Sequence, residues 1–242
     1  MFRCLVSGLA AALFLSAASA SQADTTLRIE QIGTGHIAAI QQAGTLIRAD
    51  IRQTNAGNTA VISQGGIVSD QIVVTDAIDE AQLTSFTLLD TVTGTGHNNS
   101  VTVDQAGSDH QALILQGGVG NIAILDQSGI ANQGSIVQNG DNNSASVSQI
   151  GSRNMGAIFA YGNNNEAVLT QEGADNRGTI SMTGSRNQAR LTEIGDRNDA
   201  SITILGNDNS YNLNIQSNDQ QAAIKVTGDN VPLPLSSLTI RK

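Results

Sequence analysis

Polar and apolar residues alternate within short segments of this chain, and a similar segment returns every eleven residues. In one unit Asn143, Ala145, Val147 and Gln149 share one parity, and serines stand between them. Because successive side chains on a strand point to opposite faces, these four residues lie on one side of a β-strand. A period of two argues against a helix, so each unit predicts a strand of about seven residues and a connection of about four.

A glycine marks the connection in nearly every unit from residue 96 onwards, without a change of spacing. Glycine adopts positive φ at little cost, which is what a tight turn between two strands requires. The predicted turn glycines are Gly107, Gly118, Gly129, Gly140, Gly151, Gly162, Gly173, Gly184, Gly195 and Gly206.

A period held this long predicts a repeat architecture. One strand per unit is too short to close a coil, so two units form a rung of 22 residues: strand, turn, strand, turn. We therefore predict an all-β fold, a β-solenoid of stacked rungs. Buried amides at equivalent positions of successive rungs would hydrogen-bond along the stack as amide ladders. The predicted ladder residues are Gln105, Gln116, Gln127, Gln138, Gln149, Gln171, Asn121, Asn132, Asn143, Asn154, Asn165, Asn176, Asn187 and Asn198.

The regularity of the repeat divides the chain into segments. Residues 21–66 carry the pattern loosely, residues 67–95 depart from it as a degenerate repeat or a loop insertion, and residues 96–230 follow it closely. In the final segment, 231–242, Pro232 and Pro234 cannot donate to a strand ladder, which predicts a C-terminal capping tail.

The first twenty residues have the pattern of a secretory signal peptide. Arg3 precedes an apolar run, and Ala18-Ser19-Ala20 forms an A-x-A cleavage site. A transmembrane anchor is disfavoured because the run is short and rich in small residues. We therefore expect a mature chain without a membrane span.

Composition narrows the possible functions. Aromatic residues make up 2% of the chain and hydrophobic residues 39%, which suits a narrow core of small aliphatic side chains better than a wide one. The net charge of −9 without basic clusters argues against nucleic-acid binding, because phosphate binding needs lysine and arginine. The one cysteine, Cys4, lies in the leader, so disulfides and thiolate chemistry are excluded from the mature chain.

Candidate chemistry is sparse. His36 and His110 occupy the asparagine position of the repeat and His97 lies in a turn, so substituted ladder residues are favoured over a metal site. Nucleophile elbows are missing, although a pair of carboxylates for glycoside hydrolysis remains open on sequence alone. The expectation is a non-enzymatic protein without a cofactor.

The unit N-x-A-x-φ-x-Q-x-G-x-x, with φ an aliphatic residue, resembles the curlin repeat of bacterial curli fibre subunits. Residues 149–154 and 171–176 match its Q-x-G-x-x-N turn closely, and the resemblance covers roughly residues 27 to 230. It implies a subunit exported from a Gram-negative bacterium by dedicated machinery, which polymerises into amyloid fibres at the cell surface for adhesion and biofilm formation. The implied partners are further copies of the chain and a second curlin-type subunit, as major subunit or nucleator.

Some features depart from that family. The glycine-rich segment that follows the leader in familiar members is missing here, and Ala160, Met182 and Glu193 replace glutamine in later units. Two functional hypotheses follow. The chain is either a structural amyloid subunit whose end rungs join copies, or a monomeric, capped solenoid that acts as a surface-binding adhesin or nucleator accessory.

Overall fold

The computed structural model describes residues 2–7, 11–17, 26–42, 44–45, 48–64, 96–231 and 237–241. Within these ranges the chain forms strands and turns and no helix, and therefore no helix that could span a membrane.

Most strands belong to two sheets, with β1–β21 numbered in chain order. Sheet A contains β1 (Phe2–Ser7), β3 (Thr26–Thr34), β6 (Arg48–Ala56), β9 (Ser100–Ser108), β11 (Ile122–Ile130), β13 (Ser144–Ser152), β15 (Glu166–Ala174), β17 (Gln188–Ile194), β19 (Ser210–Gln216) and β21 (Ser237–Arg241). Sheet B contains β2 (Ala11–Ala17), β4 (His36–Gln42), β7 (Thr59–Gln64), β10 (Gln111–Gly117), β12 (Gln133–Asn139), β14 (Met155–Tyr161), β16 (Arg177–Thr183), β18 (Asp199–Leu205) and β20 (Gln221–Thr227). A small third sheet pairs β5 (Gly44–Thr45) with β8 (Gly96–His97).

The two large sheets are the two walls of a parallel β-solenoid. Each strand pairs in parallel with the strand one rung later, and in the regular part equivalent residues are 22 apart, as in Gln127↔Gln149. The chain crosses from sheet A to sheet B and back once per rung, so neighbouring strands of each sheet are equivalent strands of successive rungs. The predicted all-β solenoid of two-unit rungs is confirmed.

The stack continues past the irregular segment of the sequence. β6 pairs directly with β9, with Gln53 opposite Gln105, a separation of 52 residues instead of 22. No rung therefore stands between β6 and β9 in the stack. The segment 67–95, expected to be a degenerate repeat or a loop, lies outside the described residues.

Two strands lie within the predicted leader. β1 pairs with β3 and β2 pairs with β4, both in parallel, so that residues 2–7 and 11–17 continue the two sheets at the N-terminal end of the stack. Cleavage after residue 20 stays a prediction, and it would make β3 and β4 the first rung of the mature chain.

Several strands of sheet A are longer than the sequence pattern suggests. β9, β11, β13 and β15 span nine residues each instead of about seven, because pairing between rungs continues through the turn glycine, as in Gly151↔Gly173. The connection that follows is correspondingly short.

The core between the sheets is narrow and built from aligned columns of aliphatic side chains. Sheet B contributes an unbroken column of buried isoleucines. These are Ile40, Ile62, Ile114, Ile136, Ile158, Ile180, Ile202 and Ile224. Alanine or glycine stands two residues earlier in the same strands, and a Cβ on Gly156 would lie 2.9 Å from Leu169 Cδ2 of the facing sheet. Small residues on one wall thus leave room for large ones on the other, which gives dense packing from few aromatic residues.

A second apolar cluster lies on the opposite face of sheet B in its N-terminal rungs. Its side chains come from the positions between the core residues and therefore point away from the core, yet they are buried. They are Ile37, Ala39, Val61, Leu113, Leu115 and Val137, with the partly buried Phe159 and Tyr161 packed against them. The sequence pattern assigned these positions to solvent, so the outer face of sheet B is less uniform than the repeat suggests.

Replacing Gly151 with alanine tests the close contact between turns. Gly151 has φ of +116°, and a Cβ there would lie 2.0 Å from the carbonyl oxygen of Gly173 in the next rung. We expect Gly151→Ala to lower the free energy of unfolding by about 3 kcal/mol, because strain and a steric clash add. Denaturant unfolding of the chain without its leader measures this. Ser146→Ala, in the middle of β13, is the control, and an equal effect of both changes would contradict the turn geometry.

Candidate functional site: the amide ladders

A column of glutamines runs through the core along sheet A, with one glutamine in the second half of each strand from β3 to β15. Each Nε2 donates to Oε1 of the glutamine in the next rung, at 2.7–2.8 Å from Gln31 to Gln171. The column consists of Gln31, Gln53, Gln105, Gln127, Gln149 and Gln171. All are buried. An amide can extend such a column without limit, because it carries both a donor and an acceptor.

The second hydrogen of each Nε2 ties the two walls together. Gln149 Nε2 also donates to the carbonyl oxygen of Gln133 at 2.8 Å, and Gln171 Nε2 donates to that of Met155 at 3.1 Å. These carbonyls belong to the first residue of the facing strand in sheet B. One amide therefore joins two rungs along the axis and two sheets across the core.

Sheet B carries a shorter column of the same kind. Gln42, Gln64, Gln116 and Gln138 are joined by Nε2–Oε1 bonds of 2.8–3.0 Å. The next residue in register is Ala160, followed by Met182, so the column becomes apolar after Gln138. Amide bonding in sheet B is therefore confined to the N-terminal half of the described stack.

Asparagines occupy two further columns, one at each edge of the sheets. Asn154 Oδ1 accepts the backbone N–H of Asn176 at 3.1 Å, and its Nδ2 donates to the carbonyl oxygen of Gly173 at 2.9 Å. The same pair of bonds recurs rung after rung. These side chains thus bridge neighbouring turns chiefly through the backbone, and only secondarily through amide–amide contacts.

His36 and His110 stand in one asparagine column. Nδ1 of His110 accepts the backbone N–H of Asn132 at 3.2 Å, and Nε2 lies 3.3 Å from the carbonyl oxygen of Ala106. This pairing requires the neutral tautomer with the proton on Nε2. Burial lowers the pKa of both histidines, which favours that neutral form. Among the described residues no group of three or more His, Cys, Asp or Glu side chains could hold a metal ion.

Glu193 interrupts the sheet A column. Its Oε2 accepts from Gln171 Nε2 at 2.7 Å, while its buried Oε1 has no hydrogen-bond partner among the described residues. The next residue in register is Ile215, which has no polar group to offer. Burial raises the pKa of Glu193 to about 7, although the bond from Gln171 opposes this rise.

The turns carry exposed ion pairs between successive rungs. Arg153 pairs with Asp175, and further along the stack Arg186 pairs with Asp208 and Arg197 with Asp219, all at 2.6–2.7 Å. The Arg153 guanidinium lowers the pKa of Asp175. Exposed pairs of this kind contribute little to stability.

The structure places every sequence-predicted glutamine in one of the two glutamine columns and every predicted asparagine in one of the two turn columns. The predicted turn glycines all have positive φ. Gln31 and Gln53 in sheet A and Gln42 and Gln64 in sheet B extend the columns beyond the predicted set, and their eleven-residue spacing was the available signal.

A second left-handed position in each turn was not predicted from the sequence. Two residues after the turn glycine the backbone is again left-handed; Gly35 and Gly120 stand there in two turns, and in the others a residue other than glycine has φ near +55°, as at Asn142, Arg153 and Asp175. Asparagine and aspartate tolerate this conformation better than most residues. Their frequency at this position was the signal that could have identified it.

Comparison with known protein families identifies the repeat. The family model described as Curlin associated repeat matches three consecutive stretches, residues 96–129, 130–158 and 162–192. The resemblance to the curlin repeat is thereby confirmed, and it supports a curli-type amyloid subunit in general terms. No curated protein matches the chain as a relative.

Removing one asparagine tests the turn bridges. Asn154→Ala leaves the buried N–H of Asn176 without its acceptor, so we expect a loss of about 2–3 kcal/mol in unfolding free energy. The control is Asn163→Ala, which removes an equivalent bond to the backbone of Asp141 at an exposed turn. Denaturant unfolding of both variants should separate them by more than about 1 kcal/mol. Equal losses would mean that burial of the bridge is irrelevant.

Glu193 makes stability depend on pH. Its folded-state pKa of about 7 lies above the ordinary value of 4.5, so the folded chain binds a proton more tightly than the unfolded chain. The chain should be most stable below pH 4.5 with respect to this group, and should lose about 3 kcal/mol as the pH rises from 4.5 to 7.

The test is the unfolding free energy of Glu193→Gln across this pH range. The glutamine restores an uncharged amide, so we expect higher stability than the parent at pH 8 and a flatter profile between pH 4.5 and 7. Glu172→Gln, at an exposed position of the preceding rung, should retain the parent's profile. A parent whose stability does not fall over this range would show that Glu193 is not a buried acid.

Proposed function

We propose that this chain, in which consecutive curlin associated repeats stack as a parallel β-solenoid, is a secreted structural subunit of curli-type amyloid fibres. Chains would join rung on rung at the cell surface and form fibres for adhesion and for the biofilm matrix. The proposed partners are further copies of the chain, a second curlin-type subunit and the export machinery. The role is structural rather than catalytic, consistent with the repeat family and the fold.

One observation carries this proposal: the bonds that join rungs within the chain are all of a kind that can join rungs between chains. Backbone pairing between parallel strands, the glutamine column and the asparagine bridges all run along the axis from one rung to the next. A terminal rung presents unpaired strand edges, which are templates for pairing with another chain. The stack of one molecule is thus the pattern for a fibre with strands perpendicular to its axis.

A second candidate function is a monomeric, capped solenoid that binds a surface. The observation in its favour is β21, which pairs with β19 at the C-terminal edge of sheet A. β21 covers the edge of β19, with which the first strand of another chain would have to pair in a fibre.

The deciding experiment is assembly of the chain without residues 1–20 after dilution from denaturant. We expect a rise in thioflavin fluorescence, and fibres whose diffraction shows the 4.7–4.8 Å spacing of cross-β structure. A chain that remains monomeric for days would contradict the fibre proposal and favour the capped solenoid.

A matched pair of variants shows whether the fibres contain the solenoid. Ile158 lies in the buried isoleucine column, whereas its neighbour Ala157 points to the outer face of sheet B. Ile158→Asp should prevent assembly and Ala157→Asp should permit it. Fibres of both variants with equal kinetics would mean that the chain aggregates through another structure.

A further inference from the structure

The two ends of the mature solenoid do not match. Sheet A has ten strands and sheet B nine, and removal of the leader would take β1 from one and β2 from the other. The mature stack then begins with β3 and ends with β21, and both belong to sheet A. Because a continuous coil alternates between sheets, a second copy starting with β3 cannot continue the coil after β21.

β21 uses the edge that a second copy would need. Its register on β19 places Leu238 opposite Leu213 and Ile240 opposite Ile215. Both side chains are partly buried against the core, while Thr239 between them is exposed. β3 has the same alternation, with Leu27 and Ile29 facing the core. β21 thus has the same alternation of core-facing and exposed residues as β3, although it is shorter. It occupies the position next to β19 that the first strand of another chain would take.

The residues of the glutamine column in sheet A favour pairing of β19 with β21 over pairing with β3 of another chain. In the register of the stack, β3 of another chain would place Gln31 over Ile215, in the column that runs from Gln31 through Glu193. Oε1 of Gln31 is the open acceptor of this column, since with β1 paired over β3 it is buried without a partner among the described residues. Isoleucine cannot donate to it, so the junction would bury an unsatisfied acceptor, whereas Ile240 over Ile215 buries only apolar surface.

We propose that β21 is an autoinhibitory strand, which occupies at the C-terminal edge of sheet A the place of β3 of a second copy. This inference rests on the proposed head-to-tail stacking. Each junction between copies requires β21 to leave β19 first, so release of β21 limits the rate at which fibres start and grow. The docking partner at this edge is a second copy of the chain, through residues 26–34.

A disulfide between β19 and β21 tests the proposal, because the oxidised and reduced forms of one variant can be compared. Asn214 and Thr239 are paired in register on β19 and β21, and adjacent strands are about 4.8 Å apart, within the Cα range of a disulfide. The mature chain has no other cysteine, because Cys4 lies in the leader. The variant Asn214→Cys/Thr239→Cys should show a lag before thioflavin fluorescence at least tenfold longer when oxidised than when reduced.

The matched control places the same crosslink one rung earlier. Thr192 is paired with Asn214 between β17 and β19, so Thr192→Cys/Asn214→Cys joins two internal strands and leaves β21 free. Its lag should be the same in the oxidised and reduced forms.

Releasing the strand should have the opposite effect. Leu238→Asp/Ile240→Asp places charges at the two core-facing positions of β21 and should shorten the lag severalfold. Thr239→Asp, at the exposed position between them, should leave the lag unchanged.

The outcomes separate the two proposals. Fibres that form with equal lag in the oxidised and reduced Asn214→Cys/Thr239→Cys chain would overturn the role of β21 and leave the proposed function intact. Failure of every variant, released or reduced, to form fibres would overturn the proposed function and this inference with it.

Discussion

Registered pairing of each rung with its own repeat is the constraint on which the rest of the structure depends. Because a residue lies directly above its equivalent 22 residues away, every buried position must be compatible with a copy of itself. Aliphatic side chains meet this condition, as the isoleucine column of sheet B shows. Among polar groups, a primary amide also meets it, since it donates upwards and accepts from below.

The same constraint explains why one buried carboxylate is costly. Glu193 can accept from Gln171 but cannot donate to the following rung unless it is protonated, and one of its oxygens remains without a partner. Burial therefore raises its pKa to about 7, whereas a glutamine at the same place would have no proton to lose and would stay uncharged. The acid is therefore expected to make this part of the stack sensitive to pH.

Period and parity predicted most of the fold, because both are direct consequences of strand geometry. Alternation in the unit around Val147 gave the core-facing residues, and the repeat of Gln149 and Asn154 gave the columns. The continuation of the stack from Gln53 to Gln105 could not be predicted, since nothing local reveals that two rungs 52 residues apart are neighbours. Sequence also indicated amide–amide ladders for asparagine, whereas Asn154 bonds chiefly to backbone groups of the next turn, which depends on turn geometry.

Polarity along the axis follows from how the columns end. Each glutamine donates towards the C-terminus, so the N-terminal end of the column in sheet A is an acceptor, Gln31 Oε1. At the other end the column passes through Glu193 to Ile215 and Ile240, and a donor is lost. If every rung carried a glutamine, the donor at the C-terminal end of one molecule would match the acceptor at the N-terminal end of the next. In this column the residues that replace glutamine, Glu193, Ile215 and Ile240, lie only in the last rungs. The bonds from Gln31 to Gln171 therefore remain, and the contact that a neighbouring molecule would make is altered. Control of assembly can therefore be placed in the last rungs of a solenoid without loss of the stacking that holds the rest together.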